Sequence, residues 1–144
     1  MLVHQILRSK ASDAVVTVRS GVKVAEAARV LAEKRIGSVV VSDDGETALG
    51  ILSERDIVRE LARSGGACLT RDVDDYMTRK LVTCDTQMSA DKVLSMMTEG
   101  RFRHMPVVEN GRMVGLITLG DVVKARLTEL AMEKDALEGM IMGH

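Results

Sequence analysis

The sequence predicts a mixed α/β (α+β) fold: two β-α-β-β-α repeats packed face to face with pseudo-two-fold symmetry. Three observations lead there. First, the chain repeats itself. Val16-Thr17 opens a segment that ends in Gly50-Ile51-Leu52-Ser53-Glu54-Arg55-Asp56, and Val82-Thr83 opens a second that ends in Gly115-Leu116-Ile117-Thr118-Leu119-Gly120-Asp121. The offset is 66 at the front (83 minus 17) and 65 at the back (121 minus 56), so the first copy carries one extra residue in its middle. Second, 144 residues are one domain's worth of chain, so two half-size units must share a core. Third, apolar residues make up 46%, enough to build that core. Stacked repeats also predict two related clefts where the copies meet.

The elements follow in order. Leu2, Val3, Ile6 and Leu7 lie on one face of a short N-terminal helix. Val15–Val18 is a β-branched run and reads as a strand. Val24, Ala27, Ala28 and Leu31 are spaced as one helix face, which Gly37 then stops. Val39–Val41 is a buried strand, Asp43-Asp44-Gly45 a turn, Leu49–Leu52 a strand, and Ser53 opens a helix carrying Ile57, Val58 and Leu61. Arg63–Ala67 reads as a flexible linker and Asp72–Met77 as a short helical lead-in. The second copy repeats the pattern: strand Leu81–Cys84, helix face Ala90, Val93, Leu94 and Met97, strand Met105–Val108, turn Glu109-Asn110-Gly111, strand Met113–Ile117, and a helix from Leu119. The expected division is a first repeat with lead-in helix over 1–63, a linker with helical lead-in over 64–80, a second repeat over 81–128 and a helical extension over 129–144. Neither copy has enough cover to hide its apolar faces alone.

Composition narrows the function. One Phe, one Tyr and no Trp leave no aromatic platform for single strands, and a net charge of -1 gives no global field for nucleic acid. No apolar run approaches the roughly 20 residues of a membrane span, and the N-terminus lacks a signal peptide's apolar stretch. Cys68 and Cys84 are too few for a disulfide framework and read as buried thiols. His4, His104 and His144 are scattered, without metal-ligand spacing. A cytoplasmic protein is expected, with neither membrane nor nucleic acid as partner.

The chemistry concentrates at the two strand-to-helix junctions. Ser53 and Thr118 offer a hydroxyl beside unpaired helix N-terminal amides, an arrangement suited to a phosphate. Three residues on, Asp56 and Asp121 sit in the first helical turn, where a carboxylate's two oxygens match two adjacent ribose hydroxyls. The same residues also spell a capping box worth roughly 1 kcal/mol, and one aspartate can do both. Arg101, Arg103 and His104 cluster where the second copy's helix runs into its next strand; Arg35, Gly37 and Ser38 are their first-copy equivalents, so that edge carries less charge. Arg55 flanks Asp56, whereas Gly120 stands at the corresponding place, and the two clefts are chemically unequal. Lys10 reads as a solvated lysine in preference to a phosphate ligand.

The doubled Gly-apolar-apolar-Ser/Thr-x-x-Asp signature in two alignable copies resembles a tandem pair of CBS domains, the Bateman module. The resemblance covers about residues 10 to 126. The segment Arg101–Val108 also resembles that family's second-repeat pattern, and the chain looks like a stand-alone bacterial-type member. The resemblance implies a regulatory module that binds adenosine nucleotides between the repeats: AMP, ADP or ATP for energy sensing, or else NAD(H) or S-adenosylmethionine. It assigns Ser53, Asp56, Thr118 and Asp121 to the sugar-phosphate, and Arg101, Arg103 and His104, with Arg55 nearby, to the phosphates. Val16-Thr17 and Val82-Thr83 resemble the segments that meet the adenine edge. Met105 and Pro106 are candidates for an apolar wall, with Ile36 from the opposing copy; for Met105 and Ile36 plain core packing is an equal alternative. No catalytic group and no catalytic cofactor are expected.

Val123, Leu127, Leu130, Leu137 and Ile141 form an apolar stripe on a C-terminal helix that outruns the repeat. A homodimer using this helix is expected, with a regulated protein met in trans. The alternative function is an interaction scaffold whose nucleotide clefts are vestigial.

Overall fold

The computed structural model describes residues 1–10 and 14–142. Residues 11–13, 143 and 144 lie outside it, His144 and the very end of the expected extension among them. The described elements run α1 (Val3–Ser9), β1 (Thr17–Val18), α2 (Val24–Lys34), β2 (Ser38–Val41), β3 (Gly50–Ser53), α3 (Glu54–Ser64), α4 (Ala90–Gly100), β4 (His104–Glu109), β5 (Arg112–Thr118) and α5 (Leu119–Ile141).

The first copy is a three-stranded sheet in the order β1-β2-β3, with β1 parallel and β3 antiparallel to β2. The second is an antiparallel β4-β5 pair. The strand expected over Leu81–Cys84 is reduced to one parallel bridge, Cys84 to Val107. Its flanks are engaged elsewhere: the Leu81 amide donates to the Arg79 carbonyl, and Thr86 donates from its amide to the Glu109 carboxylate at 2.8 Å. Val82 and Thr83 between them are exposed.

Strand alternation divides the core. Val39 and Val41 turn toward the first copy's helices with Leu52, Val24 and Ala27, while Val40 and Ile51 turn the other way. There they meet Met113, with Leu81 and Leu116 alongside, so the two sheets pack face to face. The second copy's own core holds Cys84, Val93, Met97, Met105, Val107 and Ile117.

The lead-in segments are exchanged between copies. Val3 and Ile6 of α1 lie in the second copy's core, fixed by hydrogen bonds from Val3 N to Met88 O and from Ala90 N to Met1 O. Val73 and Met77, from the segment before the second copy, lie in the first copy's core. Both lead-ins press on a sheet at repeat-equivalent glycines: a Cβ on Gly50 would stand 2.6 Å from Met77 Sδ, and one on Gly115 would stand 2.9 Å from Leu7. Helix α1 thus precedes the first repeat in sequence but packs on the second copy's core.

Two local expectations also change. The stretch read as a flexible linker is ordered: α3 continues to Ser64 and a 3-10 turn over Gly65–Thr70 buries Cys68. Helix α2 stops at Arg35, two residues before Gly37, and α4 stops at the equivalent Arg101; both arginines are left-handed, with φ of 53° and 56°. The Ile36 and Phe102 amides then reach back to Leu31 O and Met97 O, the backbone closure that ends such helices. The turns differ as the repeat offset implies. Asn110-Gly111, both at positive φ, closes a tight β4-β5 hairpin. The longer first-copy turn is organised by Asp44, whose carboxylate accepts from the amides of Thr47 (2.7 Å) and Glu46 (2.8 Å) and is held at about 2 by them.

Both cysteines are free and buried, as expected. Among the described residues no helix is long and apolar enough to cross a membrane.

Candidate functional site

The face-to-face packing leaves two clefts between the copies. The first, of about 690 Å³, runs from the β3-α3 junction (Ser53, Arg55, Asp56) to Lys80–Val82 and the α4-β4 corner, Gly100–His104. The second, of about 520 Å³, runs from the β5-α5 junction (Thr118) to Ala14–Val16 and the α2-β2 corner, Ile36–Ser38. The two linings match under the repeat alignment: Ala14/Lys80, Val15/Leu81, Val16/Val82, Ile36/Phe102, Ser38/His104 and Ser53/Thr118. Lys34/Gly100, Gly37/Arg103 and Ile51/Leu116 complete the match.

The junctions are built alike because their sequences cap alike. The Ser53 hydroxyl accepts from the Asp56 amide at 3.2 Å, and Asp56 Oδ2 accepts from the Ser53 amide at 2.9 Å. Thr118 and Asp121 repeat this at 3.1 Å and 2.9 Å. The first helical amide of each junction donates to the opposite corner of its own copy, Glu54 N to Gly37 O and Leu119 N to Arg103 O, each at 2.9 Å. Two of the three first-turn amides are thus engaged, fewer free donors than the sequence suggests, and the Arg55 and Gly120 amides remain for an anion.

The carboxylates differ. Asp56 Oδ1 accepts from Arg59 at 2.8 Å. Asp121 Oδ2 pairs with Lys10 Nζ at 2.8 Å, and Lys10 also donates to Leu116 O at 2.9 Å. Lys10 is three-quarters buried and is not the solvated side chain expected. Burial alone would raise the Asp121 carboxyl; hydrogen bonds from Lys10 and the Thr118 amide outweigh it and hold it below the usual aspartate range.

His104 lines both clefts. Its ring packs beside Gly37, with Nε2 3.5 Å from where a Cβ there would stand, an ordinary contact distance. Burial lowers the imidazole below its ordinary value, opposed by Glu54 and assisted by Arg103. Its first-copy equivalent, Ser38, is 5% exposed, and its hydroxyl has no hydrogen-bond partner among the described residues.

A CBS-domain family model matches residues 4–63 and 73–128. This chain belongs to the CBS-domain family. It is 46% identical to the CBS-domain containing protein ATU1752 from Agrobacterium tumefaciens, with a TM-score of 0.82 over 88% of this chain and 99% of that one. The CBS domain pair of protein MJ0100, solved in complex with 5′-methylthioadenosine and S-adenosyl-L-methionine, superposes with a TM-score of 0.77 at 26% identity, covering 90% and 98% of the two chains. Among curated relatives, the CBS domain-containing protein CBSX3, mitochondrial, of Arabidopsis thaliana is 32% identical over 83% of this chain; the match spans 60% of that relative's length.

In this CBS pair the structure gathers most of the residues singled out from sequence. Ser53, Arg55, Asp56, Val82, Arg101, Arg103 and His104 line the first cleft. Val16, Ile36, His104 and Thr118 line the second, with Asp121 joined to its edge through Lys10. Five residues lie outside both linings, Asp121 among them. Met105 is fully buried in the second core and Pro106 is buried in β4, so neither forms the expected wall. Thr17 pairs with Val40 in the β1-β2 ladder and Thr83 is exposed; the contact expected of both segments with the adenine edge is a backbone one. Sequence reading missed Phe102, the repeat equivalent of Ile36, and Lys80, two residues before Val82; carrying Ile36 across the repeat finds the first.

Proposed function

We propose that this CBS pair is a cytoplasmic regulatory module that binds an adenosine-containing small molecule in the clefts between its copies. AMP, ADP and ATP are the first candidates; NAD(H) and S-adenosylmethionine follow. One observation carries the reading: both clefts are lined by repeat-equivalent positions. Each sets a capping hydroxyl opposite the helix-to-strand corner of the other copy, with its carboxylate in the lining of the first cleft (Asp56) or behind Lys10 at the edge of the second (Asp121). A ribose diol would meet the carboxylate, displacing the Arg59 contact at Asp56 or the Lys10 contact at Asp121. Phosphates would meet Arg101, Arg103 and the Arg55 amide. The base would lie between apolar walls, Val82 and Leu81 with Phe102 in one cleft, Val16 and Leu116 with Ile36 in the other. Volumes of about 690 and 520 Å³ suit a ligand of that size. The adenosine-type ligands of the MJ0100 pair support the choice of base.

Binding would bridge the two copies, so a ligand changes how they pack, and a partner in trans reads the difference. The long α5 favours a homodimer: Leu127, Leu130, Leu137 and Ile141 are all at least half exposed. Should the clefts prove empty of function, that apolar stripe would make the chain an interaction scaffold.

Thermal unfolding against the candidate ligands tests the reading. A ligand at 100 times its Kd adds about 2.7 kcal/mol, a shift of several degrees. The shift is expected with at least one adenosine compound and should shrink in Asp56→Ala or Asp121→Ala. No shift with any of them, from protein freed of ligand by refolding, turns the assignment toward the scaffold.

A further inference from the structure

We infer that the two clefts sort ligands by charge. The first takes the polyphosphate of a nucleoside di- or triphosphate; the second takes a nucleoside whose tail carries little charge. The inference rests on the adenosine reading for the base and sugar, and adds what each cleft does with the rest of the molecule.

Repeat-equivalent positions make the comparison direct. Lys80, Arg103 and Arg55 of the first cleft correspond to Ala14, Gly37 and Gly120. Three cations on one side thus face three side chains without charge on the other. Arg101 adds a fourth to the first cleft. None of these four is ion-paired among the described residues, whereas Arg59 beside them is held by Asp56. Four uncompensated cations around one cleft repel each other until an anion of several charges arrives. The fork geometry of guanidinium groups suits phosphate oxygens.

The second cleft is built for the opposite case. Of its two lysines, Lys10 is already neutralised by Asp121 at 2.8 Å. That leaves Lys34, opposite Gly100 in the repeat alignment, as one lysine free among the described residues against four free cations in the first cleft. Its walls, Val15, Val16, Ile36 and Leu116, are aliphatic. It also holds the Ser38 hydroxyl, an uncharged donor that is buried and unpartnered among the described residues. A buried hydroxyl without a partner is costly, and a ligand oxygen or nitrogen would satisfy it.

Isoleucine methyl NMR separates the clefts, because Ile51 lines the first and Ile36 the second. ATP should shift the Ile51 methyl and adenosine the Ile36 methyl. Inorganic tripolyphosphate should displace ATP and leave adenosine bound. In Lys80→Gln/Arg103→Gln the affinity for ATP should fall about tenfold or more, with adenosine unaffected. Both side chains are exposed, and an unchanged unfolding midpoint verifies the fold of the variant. If ATP and adenosine shift both methyls alike and the double variant binds ATP as wild type does, sorting is refuted while nucleotide binding stands. If the folded protein binds neither, the adenosine reading falls with it.

Discussion

Gly50→Ala tests how tightly the exchanged lead-in holds the first cleft. The new Cβ would stand 2.6 Å from Met77 Sδ, 2.7 Å from Met77 Cγ and 3.0 Å from the Thr78 carbonyl oxygen. Carbon contacts are optimal near 3.5–4.0 Å, so Met77 must move by about 1 Å. It has little room, being 7% exposed in the first copy's core. Overpacking of this kind costs about 1–3 kcal/mol. For a chain of this length, the middle of that range lowers Tm by roughly 6 °C. Met77→Ala alone should cost about 2–5 kcal/mol for the vacated volume. The double variant should cost at least ~1 kcal/mol less than the sum, because the new methyl enters space the methionine has left. Urea unfolding followed by circular dichroism reads all four corners of the cycle. A neutral Gly50→Ala, or strictly additive costs, would refute the close approach. The consequence reaches the site, since Ile51 and Thr78 exchange both backbone hydrogen bonds and both line the first cleft.

Other predictions follow from the same geometry. Lys10→Met should cost about 1–2 kcal/mol at pH 7 by removing the pair with Asp121 and the bond to Leu116. Because the folded Asp121 carboxyl is depressed, its contribution is present above the unfolded aspartate value and fades as pH falls through the folded one. Urea midpoints of wild type and variant should therefore converge in acid, and a gap that widens there would contradict the pairing. The Asp44 carboxyl should titrate at about 2 by carbon-detected NMR; an ordinary value would mean the 42–47 turn is not formed. Burial pushes the Cys84 thiol up to about 12, so native protein at pH 8 should resist alkylation there, and rapid labelling would refute that burial. Arg101→Gly relieves a left-handed arginine, so stability should hold or rise by up to about 1 kcal/mol while affinity for a phosphate-bearing ligand falls. A marked loss of stability would show that the arginine is not strained. Sedimentation should report a dimer, and Leu127→Glu with Leu130→Glu should yield monomer; an unchanged dimer would move the interface off α5.

The repeat made much of this architecture readable. Equivalent capping boxes at Ser53/Asp56 and Thr118/Asp121 form alike, because a capping box is local chemistry. The apolar spacing of Val24, Ala27 and Leu31 likewise decides its own helix face. What escaped the sequence is long-range or against local preference. The exchange of α1 with the Val73–Met77 segment depends on pairings between segments far apart in sequence, Val3 with Met88 and Val73 with Val22, that no window contains. Arginine is a poor left-handed residue, so Gly37 looked like the helix stop when Arg35 takes that role. Met105 carries the apolar character of a cleft wall, yet strand alternation turns it into its own copy's core. Lys10 has no local signature; only the fold brings it to Asp121.

Isothermal titration of ATP and of adenosine into ligand-free protein, with Asp56→Ala and Asp121→Ala alongside, tests the central claim most directly. The account predicts adenosine-type binding to wild type, ATP binding weakened by Asp56→Ala, and adenosine binding weakened by Asp121→Ala. Absence of binding to the folded wild type, or full-strength binding to both variants, would contradict it.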